Sequence, residues 1–311
     1  MRALGLDTSN YTTSAAVFDG AGGENAGQLL TVRPGELGLR QSDALFQHVK
    51  ALPQRLAELR QSAWLDGLSA IGASDRPRAV EGSYMPCFLA GDSLGQALAL
   101  TLAVPFYRVS HQQGHLAAAA WSAGRLDLLE RPMLAWHLSG GTTELLYVEP
   151  DGVNVTARRI GGTSDISAGQ LIDRTGVLLG LDFPAGKAVD QLGKDQIGQR
   201  FSVKLNDLTF SLSGMENKVR AMAERGDAPA QICGFVLETV SDVVRRTTQA
   251  ALEQYPGVPV LCSGGVASNS RLRAVMEQAC GAVFAQPRYA RDNAMGVAIL
   301  THRLWESERK E

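Results

Sequence analysis

The sequence predicts an α/β protein of two similar lobes, each opening with a strand–turn–strand unit suited to holding an anion, and three segments carry that prediction. The first is RALGLDTSNYTTSAAVFDG at 2–20, where an apolar run from Ala3 to Leu6 enters Asp7-Thr8-Ser9 and a β-rich run from Thr12 to Phe18 follows at once. It reads as a hairpin whose turn carries one carboxylate and several hydroxyls. The second, PMLAWHLSGGTTELLYVEPDG at 132–152, repeats the pattern around Ser139-Gly140-Gly141-Thr142-Thr143. Its glycines let backbone N–H groups approach an anion closely, and its hydroxyls can complete the shell. The third, VPVLCSGGVASNSRLRAVMEQACG at 258–281, is an apolar strand, Gly264-Gly265 and then a helix with Asn269 near its start. Free N–H groups and the helix dipole favour an anion or a ribose–base edge there.

Either hairpin alone is an ordinary β-turn. Two of them more than a hundred residues apart, followed by a Gly-Gly strand–helix unit, mark a duplicated nucleotide-binding architecture. The Rossmann and P-loop glycine patterns are absent. The expected fold is therefore the actin-like ATPase (ASKHA, sugar kinase/Hsp70-like) fold with two ribonuclease-H-like lobes. We place the lobe boundary at Pro132 and the turn before it. Residues 1–130 plus 292–311 then form an N-terminal lobe, and 131–291 a C-terminal lobe.

The remaining elements follow in order. Residues 34–61 begin with a polar turn and continue as an amphipathic helix with Leu45, Val49, Leu52, Leu56 and Leu59 on its apolar face. Residues 86–103 read as a nearly all-apolar helix buried between the sheet and its neighbours. HQQGH at 111–115 opens a helix continued by LAAAAW; it places two of the chain's 5 histidines, His111 and His115, on one face one turn apart. Two imidazoles so placed can share one metal ion, although the same spacing also occurs in a plain polar stripe. Residues 167–180 and 229–254 are further helices, the latter turning Ile232, Phe235, Val236, Val240 and Val243 to a core. The last helix starts beside Asp292 and ends in a charged, solvated WESERKE tail.

These motifs resemble, in the same order along almost the whole chain, those of the TsaD/Kae/Gcp proteins, the tRNA threonylcarbamoyl transferases once described as sialoglycoproteases. GLDTSNYTTSAAV is similar to that family's opening, and HQQGH matches its HxEGH at both histidines and the glycine. LSGGTTELL resembles VSGGHTQL, and DISAGQLIDRTGVLLGLDFPAGKAVDQL resembles DxAxGExFDKxAxxLGLxYPGGxxL. FSLSGMENKV, GGVASNSRLR and RDNAMGVAIL resemble FSFSGLKT, GGVxANxxLR and TDNGAMIA. The resemblance implies His111, His115 and Asp292 as ligands of one divalent metal, Fe2+ or Zn2+. The C-terminal helix would cross back to the first lobe and bring Asp292 to the histidine pair. It also implies Asp7, Ser9, Ser139, Gly140, Gly141, Thr142, Asp173, Gly186 and Asn269 as contacts for an adenine nucleotide or adenylate. The implied reaction moves a threonylcarbamoyl group from its adenylate to the exocyclic amine of a tRNA adenine, with TsaB- and TsaE-like proteins and tRNA as partners. A mixed anhydride is already activated, so no protein nucleophile is needed, and no Ser/His/Asp or Cys/His constellation is seen.

The departures are specific. Asn10-Tyr11-Thr12-Thr13 follow Ser9 where the family has an acidic pair. Thr142 replaces the SGGH histidine, Gln170 the GE glutamate and Gln113 the HxEGH glutamate, while the TxGPG turn reads SDRPR with Arg76 and Arg78. This is the pattern of a divergent paralogue. Two other readings stay open: a carbamoyl- or phosphoryl-transferase acting on a small molecule, and a non-catalytic nucleotide-binding scaffold. The protease reading is the weakest: HQQGH lacks the glutamate of HExxH, and Gln113 cannot act as a general base.

Composition fits this picture. The chain has 311 residues, 45% of them apolar, which suffices for two cores, and no run approaches a transmembrane helix. It starts directly with a strand rather than a signal peptide, and Cys87, Cys233, Cys262 and Cys280 lack any CxxC spacing, so a cytoplasmic setting with reduced thiols is expected. With net charge −2, bulk electrostatics does not draw nucleic acid. Arg271, Arg273, Arg288 and Arg291 offer a local basic patch or solvated surface, and Lys187 a phosphate contact or a solvated turn.

Overall fold

The computed structural model describes residues 1–9, 11–32, 39–196, 201–290 and 292–310. Asn10, Arg291 and the polar turn expected at 34–38 lie outside the described residues. The chain divides into two compact units. Unit 1 is Met1–Glu130, Glu149–Ala157 and Arg291–Glu311; unit 2 is Arg131–Val148 and Arg158–Ala290.

Unit 1 opens with β1 (Arg2–Asp7), β2 (Thr12–Phe18) and β3 (Gly23–Leu29), then α1 (Gln41–Gln61), β4 (Leu68–Arg76), α2 (Leu89–Leu102), β5 (Phe106–Ser110) and α3 (His111–Ser122). Its sheet runs β3-β2-β1-β4-β5. β1–β2 and β2–β3 are antiparallel, whereas β4 and β5 continue parallel to β1. β3, GENAGQL, carries no strand signal in its composition; it forms because β2 offers it an open edge, with seven residues in register.

Two helix expectations need correction. In α1 the buried face is Ala44, His48, Ala51, Leu52 and Leu59, while Val49 is exposed. The stripe passes one residue earlier, through His48. α2 is not buried all round: Ala90, Gly91, Gly95 and Ala99 face the sheet, but Leu89, Leu100 and Leu102 are exposed. Apolar composition alone does not say that a second layer covers a helix.

Unit 2 contains β6 (Met133–Leu138), β7 (Thr143–Asp151), β8 (Asn154–Thr163), α4 (Ala168–Leu178), α5 (Gly186–Gly193), β9 (Leu205–Asn206), β10 (Thr209–Phe210), α6 (Ser213–Glu224), α7 (Pro229–Gln254), β11 (Val260–Ser263), α8 (Ser270–Cys280) and β12 (Val283–Phe284). Its sheet runs β12-β11-β6-β7-β8-β10-β9. Outward from β6 the order repeats unit 1: an antiparallel partner and a third strand on one side, two parallel strands on the other. Both sheets thus have the ribonuclease-H-like strand order, and β9 and β10 extend the second. The core packs Leu134, Trp136 and Leu138 against Phe235, Val236, Val240 and Val243 of α7. The indole Nε1 of Trp136 donates to Thr248 Oγ1 at 2.8 Å, so its one polar group is not left bare.

The tip of the β7–β8 hairpin differs from the expected lobe limits, since residues 149–157 belong with unit 1. Val155 is buried there; its carbonyl accepts from Gln113 Nε2 at 2.7 Å, and Val153 O accepts from Arg303 Nε at 3.1 Å. The last helix, α9 (Met295–Ser307), also packs in unit 1, against α3, β1, β2 and β4. Glycines permit that contact. A Cβ at Gly296 would fall inside the backbone of Gly114, and one at Gly5 would fall on Ala298. The glycine of HQQGH is therefore a helix-crossing residue.

Candidate metal centre and nucleotide-site residues

β5 runs straight into α3, and Ser110 is both the last strand residue and the helix N-cap. Its hydroxyl accepts from Gln113 N at 3.2 Å and the Gln113 side chain accepts from Ser110 N at 2.8 Å, forming a capping box. Gln113 also donates to Val155 O, a bond that an ionised glutamate could not make. Gln113 at this position is therefore tied into the local structure by its amide group. The same S-x-x-Q box, Ser167 with Gln170, starts α4.

The cap fixes where the two imidazoles project. His115 Nε2 lies 2.9 Å from His111 Nε2 and 3.1 Å from Asp292 Oδ1, and His111 Nε2 lies 3.7 Å from the same Oδ1. Ligand atoms about 2.1 Å from a tetrahedral centre stand about 3.4 Å apart, and the three edges bracket that value. His111, His115 and Asp292 form the metal-competent His/Asp group among the described residues. Their side chains are 19%, 12% and 34% exposed, so one side of the triangle stays accessible. Two imidazoles and one carboxylate suit zinc or ferrous iron with coordination positions to spare. Asp292 reaches the pair because it immediately precedes α9, which the glycine crossing holds against α3.

Behind the histidines the site is buried and polar. Asp7, at the end of β1, is 2% exposed, and its Oδ2 meets His111 Nδ1 at 2.7 Å. Its Oδ1 accepts from Ser74 Oγ at 2.8 Å and from Ser9 N at 3.1 Å. Burial alone would depress the His111 pKa, but the Asp7 carboxylate, aided by Asp292, outweighs it and raises the value to about 9. On the far side, His48 Nδ1 pairs with Thr13 Oγ1 at 2.8 Å. Burial pushes the His48 pKa down to about 4, against the pull of Asp7 and the Ser9 carbonyl. Ser9 Oγ and His48 Nε2 have no hydrogen-bond partner among the described residues.

The other expected site residues lie in unit 2 and gather around α4 and α5. In the turn, Ser139 N donates to Thr142 O at 2.8 Å and Thr142 N to Ser139 Oγ at 3.1 Å. Nothing lies within 4 Å of where a Cβ would stand on Gly140 or Gly141, so there is room on that side of each, while the Gly140 backbone sits against Gly169 in the first turn of α4. The turn is seated on the start of α4, where Ser167 Oγ donates to Gly140 O at 2.7 Å. Asp173 Oδ1, further along α4, accepts from Ala185 N at 2.8 Å, just before Gly186 opens α5. Asn269 caps α8 through Leu272 N at 2.9 Å and donates to Asp190 of α5, also at 2.9 Å. Asp173, Gly186 and Asn269 are thus joined through α5. Beside Asp173 lies a groove of about 500 Å³ walled by Val177, Leu178, Phe183 and Val219.

Sequence reasoning missed Ser74 and His48. Ser74 acts across 67 residues with no local pattern, and His48 lies outside the apolar face read for its helix. Of the arginines offered as a basic patch, Arg271 is used internally, bonding Gly193 O at 3.1 Å and Gly234 O at 3.2 Å, and Arg273 lies 4.6 Å over Phe284. Lys187 is exposed on α5, and no described helix is long and apolar enough to cross a membrane.

Comparison with known proteins places this geometry. The family model for TsaD, tRNA N6-adenosine threonylcarbamoyltransferase, matches residues 41–299. A tRNA N6-adenosine threonylcarbamoyltransferase of Rhizobium leguminosarum bv. trifolii is 32% identical over 333 residues, covering 96% of this chain and 87% of the relative. Full-length HypF, solved in its phosphate- and nucleotide-bound form, matches at TM-score 0.60 and 12% identity over 100% of this chain and 56% of its own. The ROK hexokinase of Thermus thermophilus matches at TM-score 0.51 and 14% identity over 99% of this chain and 100% of its own. At such low identity these two speak to fold alone, and the fold is the actin-like, sugar-kinase-like ATPase type. The family match spans most of the chain and the relative nearly all of it: this chain belongs to the TsaD family, the tRNA N6-adenosine threonylcarbamoyltransferases.

Proposed function

We propose that this chain transfers a threonylcarbamoyl group from threonylcarbamoyl-AMP to the exocyclic amine of a tRNA adenine next to the anticodon. The observation that carries the proposal is the His111–His115–Asp292 triangle, at metal-ligand spacing and open on one side, in a chain of this family. In the reaction the amine attacks the carbamoyl carbon, an N–C bond forms, the acyl–phosphate bond breaks, AMP leaves and the amine loses a proton.

His111, His115 and Asp292 are the residues that would hold one divalent ion, Zn2+ or Fe2+. When bound, such an ion supplies Lewis acidity toward an acyl or phosphate oxygen. Within unit 2, the Gly140-Gly141 turn, with room beside both glycines, is the expected place of a phosphate, and Ser139 and Thr142 hold that turn in shape. Asp173 is the expected partner of the ribose hydroxyls, and the apolar groove beside it suits a nucleobase. TsaB- and TsaE-like proteins are the expected partners; with a net charge of −2, the chain gains from help in holding tRNA.

The test is direct. Purified protein, threonylcarbamoyl-AMP and tRNA, with the partner proteins added, should yield modified adenosine and AMP in equal amounts and only when tRNA is present. Consumption of the adenylate with a small amine and no tRNA would replace this reading by a small-molecule transferase. Binding without turnover under every condition would replace it by a scaffold.

A further inference from the structure

We infer that Asp7 is a positioning residue for the metal ligand His111, held in place by Ser74, and not a contact for the nucleotide or adenylate. The inference rests on the metal reading of the His111–His115–Asp292 group. Both oxygens of Asp7 are already committed within unit 1: Oδ2 to His111 Nδ1 at 2.7 Å, Oδ1 to Ser74 Oγ at 2.8 Å and to Ser9 N at 3.1 Å. At 2% exposure the carboxylate has no free side to offer a ligand.

The geometry dictates the imidazole's tautomer. With a carboxylate against Nδ1, that nitrogen carries a hydrogen and donates, so Nε2, which faces His115 Nε2 and Asp292 Oδ1, is the nitrogen left to ligate an ion. The ring cannot flip without abandoning a buried charged acceptor. Asp7 cannot swing away either, because Ser74 and the Ser9 amide grip its other oxygen from β4 and from the hairpin turn. A metal-bound imidazole with its other nitrogen on a carboxylate is more basic and better oriented than one that faces water, and losing such a partner typically lowers metal affinity 10–100-fold.

The test titrates Co2+ into the metal-free full-length protein and follows the ligand-field absorption, with no substrate present. Asp7→Asn keeps the shape and removes the charge. It should weaken Co2+ binding by about 10–100-fold while the metal-free protein melts as wild type does. Ser74→Ala keeps Asp7 but frees its far oxygen, and should weaken binding by a smaller factor; it serves as the deciding variant if Asp7→Asn fails to fold. Wild-type affinity in either folded variant, with binding abolished in His115→Ala, would overturn the role of Asp7 and leave the metal site standing. Undiminished Co2+ binding in His115→Ala would instead bring down the metal reading itself, and this inference with it.

Discussion

The two sheets share one strand order, and both begin with a hairpin, yet the two hairpin turns differ in burial and in the groups they present. In unit 1 the turn is a buried polar knot. Asp7, Thr8 and Ser9 are all at most 4% exposed, and Thr8 Oγ1 donates to Cys87 O at 3.0 Å while Asp7 holds His111 and Ser74. In unit 2 the equivalent turn is Ser139–Thr142, partly exposed, with two glycines bordering open space. A carboxylate in a turn serves a cation or a cation's ligands, whereas bare backbone N–H groups serve an anion. One topology thus holds a buried carboxylate in one turn and exposed glycines in the other, because a few residues at the same place in the fold differ.

The comparison is broken most severely at the α3–α9 crossing. Gly296→Ala would drive a methyl group into the Gly114 backbone, and overpacking of that kind costs about 1–3 kcal/mol. Calorimetry should show a lowered melting temperature for unit 1, and metal analysis should show loss of bound metal, because Asp292 is carried away from the histidines. Nucleotide affinity, proposed for unit 2, should change little. An unshifted melting curve with full metal content would show that the helices do not need this contact.

A smaller effect sharpens the contrast between the buried turn and the open one. His48 has its pKa pushed from 6.5 down to about 4, so it is neutral in the folded protein but takes up a proton in the unfolded chain. Its contribution is fully present above 6.5 and is lost as pH falls toward 4, by at most about 1.4 kcal/mol per unit. The stability gap between wild type and His48→Gln should narrow across that window in denaturant titrations. A gap independent of pH would mean that the His48 ring is not sheltered from protons in the fold.

Local patterns explain what was legible in the sequence. The hairpins showed in apolar runs broken by small polar residues, and α4, α7 and HQQGH in helical periodicity and spacing. Asp292 became visible only through family resemblance, since no spacing rule links it to residues about 180 positions earlier. The grip of Ser74 on Asp7, like that of Asp7 on His111, spans 67 and 104 residues with no local signature. β3 was missed because its glycines and polar residues carry no strand preference and the neighbouring edge imposes one. The face assignments of α1 and α2 failed for a related reason: composition marks an apolar helix, but only its neighbours decide which side is covered.

The central claim is that the unit 1 turn serves a metal site and the unit 2 turn a nucleotide site. The most direct test measures metal content and AMP affinity side by side in His115→Ala and Gly140→Val, the latter placing a side chain where the fold has room for one. His115→Ala should lose most of its metal. Gly140→Val should keep close to one ion per chain and bind AMP about ten-fold or more weakly, because the added side chain would fill the space a phosphate needs beside the turn. Stoichiometric metal in His115→Ala, or wild-type AMP affinity in Gly140→Val, would contradict it.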